Sequence, residues 1–291
     1  VAIRRSMMAH DYQAELLSLA QRVAAEYAAH PQVEAILLTG SVAQSTTDVN
    51  SDIDLILSYA ELPTPEEMAT LQAAAHASGG NIYGYDPEEG LACYHFIDDV
   101  KVDFAHQRTA ETTQRIADFL ADPAAADTTS HIVLSGIVQG KALYGAELIE
   151  TWQRQLSDLP STFGETLIIA NLRVPPIAVL QEMGAGRRDY ALVYELLLES
   201  VKRLANIWCG LNNVIPPGKL KSLERLEAHL PIAPPQLTKR LRYLWVLPPD
   251  EAIDLFYQLV DETFSLVEQH VPGLDTTSAR QRITIPLHLR R

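Results

Sequence analysis

The sequence predicts an α+β protein: a sheet-bearing N-terminal half with helices around it, residues 1–145, then an all-helical half, residues 146–291. Two observations carry that expectation. Short apolar runs at 33–38, 52–59, 90–96 and 101–105 have the length and patterning of strands, and helical spacing fills the stretches between them. Beyond Gly145 the strand-like runs stop, and nearly everything reads as helix broken by prolines.

Taken in order, residues 10–30 repeat Ala, Leu and Val at helical spacing and stop at Pro31. Residues 33–38 form the first strand, Ser41 opens a short helix, and residues 52–59 form the second strand. Residues 63–77 read as a helix: Pro65 fits its first turn, Glu66 and Glu67 suit its N-terminal dipole, and Gly79-Gly80 ends it. Strands follow at 90–96 and 101–105, then helices at 109–120 and 131–140, and Lys141 to Gly145 closes the first half. The second half breaks at Pro175-Pro176, Pro216-Pro217-Gly218, Pro231 to Pro235 and Pro248-Pro249, and residues 280–291 are basic and loosely patterned. No internal repeat is visible.

Chemistry concentrates in two places of the first half. Asp52 and Asp54 sit two apart where a strand begins, so both project from one face. Burying two like charges there without a partner is costly. Mg²⁺ removes that cost, because it takes oxygen ligands and is commonly held by a few carboxylates plus substrate phosphates. Just upstream, Gly40-Ser41 ends an apolar run. Glycine lets backbone approach a phosphate closely, and a helix begun at Ser41 would aim free N–H groups at it. A phosphate cradle beside a metal seat suits nucleotidyl transfer.

A third carboxylate, Asp103, lies in the alternating run from Asp99 to Ala105, 49 residues beyond Asp54. Three carboxylates could hold two metals, or one metal with the last acting as base on an attacking hydroxyl. With Gly40, Ser41, Asp52, Asp54 and Asp103 in this order, the chain resembles the nucleotidyltransferase superfamily that includes DNA polymerase beta. The shared pattern is Gly-Ser, then Asp-x-Asp, then a later acid on a neighbouring strand. The resemblance covers residues 33–105 and implies a mixed sheet flanked by helices.

The second half narrows the match. Leu204-Ala205-Asn206-Ile207-Trp208, Lys219 eleven residues past the Trp, and Leu230-Pro231 after a further helix resemble the helical domain of the streptomycin/spectinomycin (aminoglycoside) adenylyltransferases. That resemblance implies a triphosphate contact for Lys219, read at a helix start, and ATP as nucleotide donor. Those enzymes carry an ATP-binding arginine where this chain has Asn206; Arg203, three residues earlier on nearly the same helix face, could substitute. They also carry a glutamate base where this chain has the shorter Asp103. An aminoglycoside-like acceptor, and with it antibiotic resistance, is implied by the resemblance and not by residue chemistry.

Composition bounds the rest. Of 291 residues, 47% are hydrophobic and 21% charged, which is enough for a packed core. No apolar run approaches the roughly 18 to 20 residues that span a bilayer. The opening Val1 to Met8 carries two arginines without a following apolar core, so it does not read as a signal peptide; Met7 or Met8 is another possible start. Cys93 and Cys209 are too few for a disulfide framework and read as core residues. The expectation is a soluble, cytoplasmic protein. The net charge of −14 falls almost wholly on residues 1–150, which hold 7 Lys/Arg against 22 Asp/Glu. An acidic catalytic half argues against a long nucleic acid, whose binding needs phosphate neutralisation, and suits a cationic small molecule.

Other candidates read as structural. Asp189, Glu195 and Glu199 fit a solvated helix face, and His95 and His106 lack metal-ligand spacing. Trp152, Trp208 and Trp245 fit the helical core. The basic run from Lys239 to Tyr243 fits one face of an amphipathic helix. The leading expectation is Mg²⁺-dependent transfer of a nucleoside monophosphate, AMP from ATP, to a hydroxyl of a small molecule. Two alternatives stand beside it: an antitoxin-type protein AMPylating enzyme, which the long C-terminal half and Gln44-Ser45 after Ala43 disfavour, and a catalytically silent nucleotide sensor, which the intact carboxylates disfavour.

Overall fold

A computed structural model describes residues 9–221 and 223–287; the opening segment 1–8 and the end of the basic tail, 288–291, lie outside the described residues. The chain divides into two compact units. Among the described residues, one comprises the chain up to 121 together with 133–158, the other residues 122–132 and the chain from 159 onward.

The first unit begins with α1 (Ala9–Ala28), β1 (Val33–Thr39), the single-turn α2 (Gly40–Ala43), β2 (Ile53–Tyr59) and α3 (Pro65–Ala77). Next come β3 (Asn81–Asp86), β4 (Gly90–Ile97), β5 (Val100–Arg108) and α4 (Thr109–Ala121). Helix α5 (Thr128–Gln139) ends in this unit and leads to β6 (Lys141–Tyr144) and α6 (Ala146–Ser157). The strands form one sheet in the order β3-β4-β5-β2-β1-β6. Among the described residues only β2 and β5 pair in parallel, so the sheet is mixed and the class is α+β.

Alternation explains how the sheet is covered. In β2, Ile53, Leu55 and Leu57 are buried in one cluster with Leu16, Ala20 and Val23 of α1 and Met68 and Ala75 of α3. The intervening Asp54 and Ile56 face the other way and are half-buried. Helix α3 starts at Pro65 and not at residue 63, because Thr64 caps it: the hydroxyl accepts from Glu67 N, and Glu67 accepts from Thr64 N in return. Strand β3 was not expected. Its side chains are almost all exposed, so it shows no apolar alternation, and pairing with β4 alone makes it a strand.

Asp98 and Asp99 join β4 to β5 with φ of 51° and 61°, the left-handed pair that a two-residue hairpin turn demands. The turn sets Ile97 opposite Val100 and hence Tyr94 opposite Asp103.

The second unit is helical. It contains α7 (Phe163–Asn171), a π-helical turn (Val179–Gly184), α8 (Tyr190–Leu211), α9 (Leu223–Ala228), α10 (Leu237–Leu244), α11 (Pro249–His270) and α12 (Thr277–Ile283). Helices α7 and α8 approach closely through two glycines: a Cβ on Gly164 would stand 2.4 Å from Gly210 O, and one on Gly210 2.8 Å from Gly164 O. Trp208 is fully buried and donates its indole N–H to Thr263 Oγ1 at 2.9 Å. The basic run falls on α10 as expected: Leu237, Leu241 and Leu244 are buried while Arg240 pairs with Glu262. Asp189 is accounted for as the cap of α8, accepting from Leu192 N. Among the described residues no helix is long and apolar enough to cross a membrane.

His106, on β5, lies in the core with its Nδ1 2.9 Å from the Tyr59 hydroxyl and near the Tyr27 and Phe104 rings. Burial, and secondarily the neighbouring His95, pushes its pKa down from 6.5 to about 3. The unfolded chain therefore takes up a proton below pH 6.5 that the folded chain refuses until about pH 3. Stability falls as pH drops through that window, by up to about 1.4 kcal/mol per pH unit from this group. Urea denaturation of wild type and His106→Gln between pH 7 and pH 4 should show a shallower fall for the variant; parallel curves would remove His106 as the cause.

Candidate active site

The site begins where β1 runs into α2. Gly40 has φ of +69°, a conformation that disfavours any side chain, and a Cβ there would stand 2.0 Å from Asp54 Oδ2. The Gly-Ser turn therefore rests directly on the carboxylate of the neighbouring strand. Helix α1 anchors this region from below: Gln13 Nε2 donates to Val42 O at 2.8 Å, and the Tyr12 hydroxyl reaches Ser51 O at 3.4 Å. The loop before β2 is tightened by Asp48, whose Oδ1 accepts from Asn50 N while its own N–H donates to Ser51 Oγ.

Sheet register supplies the rest. Thr39 pairs with Asp54, Asp54 with Asp103, and Asp103 with Tyr94, so these four side chains form one row on one face across β1, β2, β5 and β4. Asp52 immediately precedes β2 and not within it, yet its carboxylate reaches the same point. One oxygen from each of Asp52, Asp54 and Asp103 lies within 4.8 Å of the others, all three residues being half-buried. Three convergent hard oxygen donors of this kind fit a small divalent cation.

Three further residues belong to the cluster, and sequence reasoning did not single them out. Lys101 Nζ donates to Asp103 Oδ2 at 2.6 Å and to Asp52 Oδ2 at 3.3 Å. The Tyr83 hydroxyl donates to Asp103 Oδ1 at 2.8 Å. The same ammonium stands 5.6 Å from the Tyr83 ring centroid and 5.1 Å from that of Tyr94. Burial works to lower the Lys101 pKa, but hydrogen bonds to Asp103, Tyr83 and Asp52 outweigh it and raise it. Lys101 was readable in principle, since it lies two before Asp103 on a strand and shares its face. Tyr83 was not, because it lies on the unexpected β3.

Ser41 follows Gly40 in α2, which is a single turn. Arg203 and Lys219 both belong to the second unit. Arg203, on α8, lines a cavity of about 380 Å³ with His131, Asn171, Glu199, Lys202 and Asn206. Asn206 donates to Asn171 Oδ1 at 3.2 Å. Lys219 is exposed on the loop ahead of α9, not at a helix start as expected, and is not among the residues lining that cavity. Glu195 and Glu199 are exposed on α8. His95 is buried beside Cys93 Sγ, and burial lowers its pKa.

No protein-family model matches the chain, and no curated protein matches it. Among solved structures it is similar to the crystal structure of a nucleotidyltransferase-like protein from Exiguobacterium sibiricum 255-15. The identity is 13% and the TM-score 0.37, over 88% of this chain and 76% of that one.

The contact between Gly40 and Asp54 makes a direct test. Gly40→Ala places a methyl group against Asp54 Oδ2 in a left-handed conformation and should cost about 1–3 kcal/mol in urea denaturation. Ser41→Ala, without that conflict, should stay within about 0.5 kcal/mol of wild type.

Proposed function

We propose that this protein is a Mg²⁺-dependent nucleotidyltransferase that moves a nucleoside monophosphate, AMP from ATP, to a hydroxyl group of a small molecule. The observation that carries the reading is the convergence of Asp52, Asp54 and Asp103 beneath Gly40. In this reading Asp52 and Asp54, with Asp103 beside them, would hold the cation, which when bound would supply charge neutralisation at the phosphates. Gly40 and Ser41 offer backbone to phosphate oxygens at close range. Asp103 accepts the proton of the acceptor hydroxyl as its oxygen bonds to the α-phosphorus; the bond to pyrophosphate breaks, and pyrophosphate leaves with the electron pair. The work of the protein is positioning and charge stabilisation more than covalent chemistry.

The finer assignments follow from the family resemblance. Lys219 and Arg203 are the proposed triphosphate contacts, and the acceptor is an aminoglycoside-like polycation, which the acidic first half favours. The site is proposed to act on small molecules in the cytoplasm and not on long nucleic acid.

Incubating the protein with labelled ATP, Mg²⁺ and a panel of hydroxyl acceptors, aminoglycosides among them, should yield a labelled adduct and pyrophosphate. Asp52→Asn and Asp54→Asn should each lower transfer at least about 100-fold with unchanged circular dichroism, because each removes an anionic ligand. Transfer at the wild-type rate by either variant would sink the reading.

Lys219→Ala addresses the adenylyltransferase analogy separately. Calorimetry with ATP and Mg²⁺ should show affinity reduced about tenfold, with the melting temperature of the free protein unchanged, since an exposed lysine contributes little to folding. Equal ATP affinity would discard the analogy and leave the three-carboxylate site standing.

A further inference from the structure

Both oxygens of Asp103 are engaged by protein groups: Tyr83 donates to Oδ1 and Lys101 to Oδ2. Lys101 simultaneously reaches Asp52 Oδ2, so one ammonium spans two of the three carboxylates that would ligate a cation. Its side chain is one-third exposed and emerges from β5 on the carboxylate face, two residues before Asp103. An ammonium is a compact point charge on a four-carbon stem, and it competes for the oxygens that a divalent cation needs.

We propose that Lys101 is a tethered counter-cation of this site: its ammonium offsets the charge of Asp52 and Asp103 and is displaced when a divalent metal binds. The proposal rests on the metal-site reading above. Like charges within 4.8 Å repel, and Lys101 offsets that repulsion from inside the protein. When a doubly charged ion takes over the same oxygens, the ammonium leaves them. The rings of Tyr83 and Tyr94, already within 5.6 Å of it, give it a second station next to the site. Lys101 thereby sets a threshold on metal occupancy.

A structural role alone predicts that removing Lys101 loosens the cluster and weakens metal binding. Displacement predicts the opposite. Binding of Mn²⁺ alone, followed by the electron paramagnetic resonance of the free ion, is to be compared in wild type, Lys101→Met and Lys101→Arg. Lys101→Gln replaces Lys101→Met if the latter does not fold. The neutral variant should bind Mn²⁺ at least about tenfold more tightly than wild type, and Lys101→Arg should stay near wild type. Equal or weaker binding by the neutral variant, with wild type binding normally, overturns the proposal and leaves the metal site intact. Absence of Mn²⁺ binding in both wild type and the neutral variant overturns the metal-site reading and this proposal with it.

Discussion

Carboxylates held within 4.8 Å of one another repel, and water is the cheapest place to put them. Here they are kept half-buried on a sheet, and much of the first unit can be understood from that requirement. Parity along β2 turns Asp54 away from the apolar cluster formed by Ile53, Leu55 and Leu57. The parallel pairing of β2 with β5 sets Asp103 directly beside it. A shift of one residue in either strand would send a carboxylate into the core and a valine or leucine into the site, so the same alternation that specifies the fold specifies the cluster.

The opposing charge comes from the same strand. Lys101 and Asp103 share a face of β5, and Tyr94 and Tyr83 close the outer side from β4 and β3. The Asp98-Asp99 turn ties these together, because its two left-handed residues fix which residue of β4 faces Asp103. On the inner side the limit is steric. Gly40 is needed here for the room it leaves Asp54 as much as for any approach of backbone to a ligand.

Legibility in the sequence followed apolar content. Strands β2, β4 and β5 bury mainly one face and β1 is buried on both, so their residues alternate or run apolar and could be placed within a few residues. Strand β3 buries almost nothing, and β6 is a short exposed edge, so neither left a hydrophobic trace. The three aspartates were legible because charge inside an apolar run has few structural explanations. Lys101 escaped notice because a lysine two residues before an acid is ordinary on a solvated strand, and only its contact with Asp52, 49 residues earlier, shows that it spans two of the acids. Helix α8 carried a clear pattern, whereas the surroundings of Arg203 depend on Asn171 and His131, far away in sequence.

The path of the chain has a consequence for how the molecule is made. It passes from the first unit to the second after residue 121, returns after 132, and departs again after 158. No single cut can therefore release either unit whole. A fragment ending at 121 lacks β6, the edge strand against β1, and a fragment ending at 158 carries residues 122–132 without the helices they pack among. During synthesis the sheet waits for its last strand until the segment 122–132 has been made, so the second unit is begun before the first is finished. The two halves of this protein are separable as architecture but are interleaved as a folding problem.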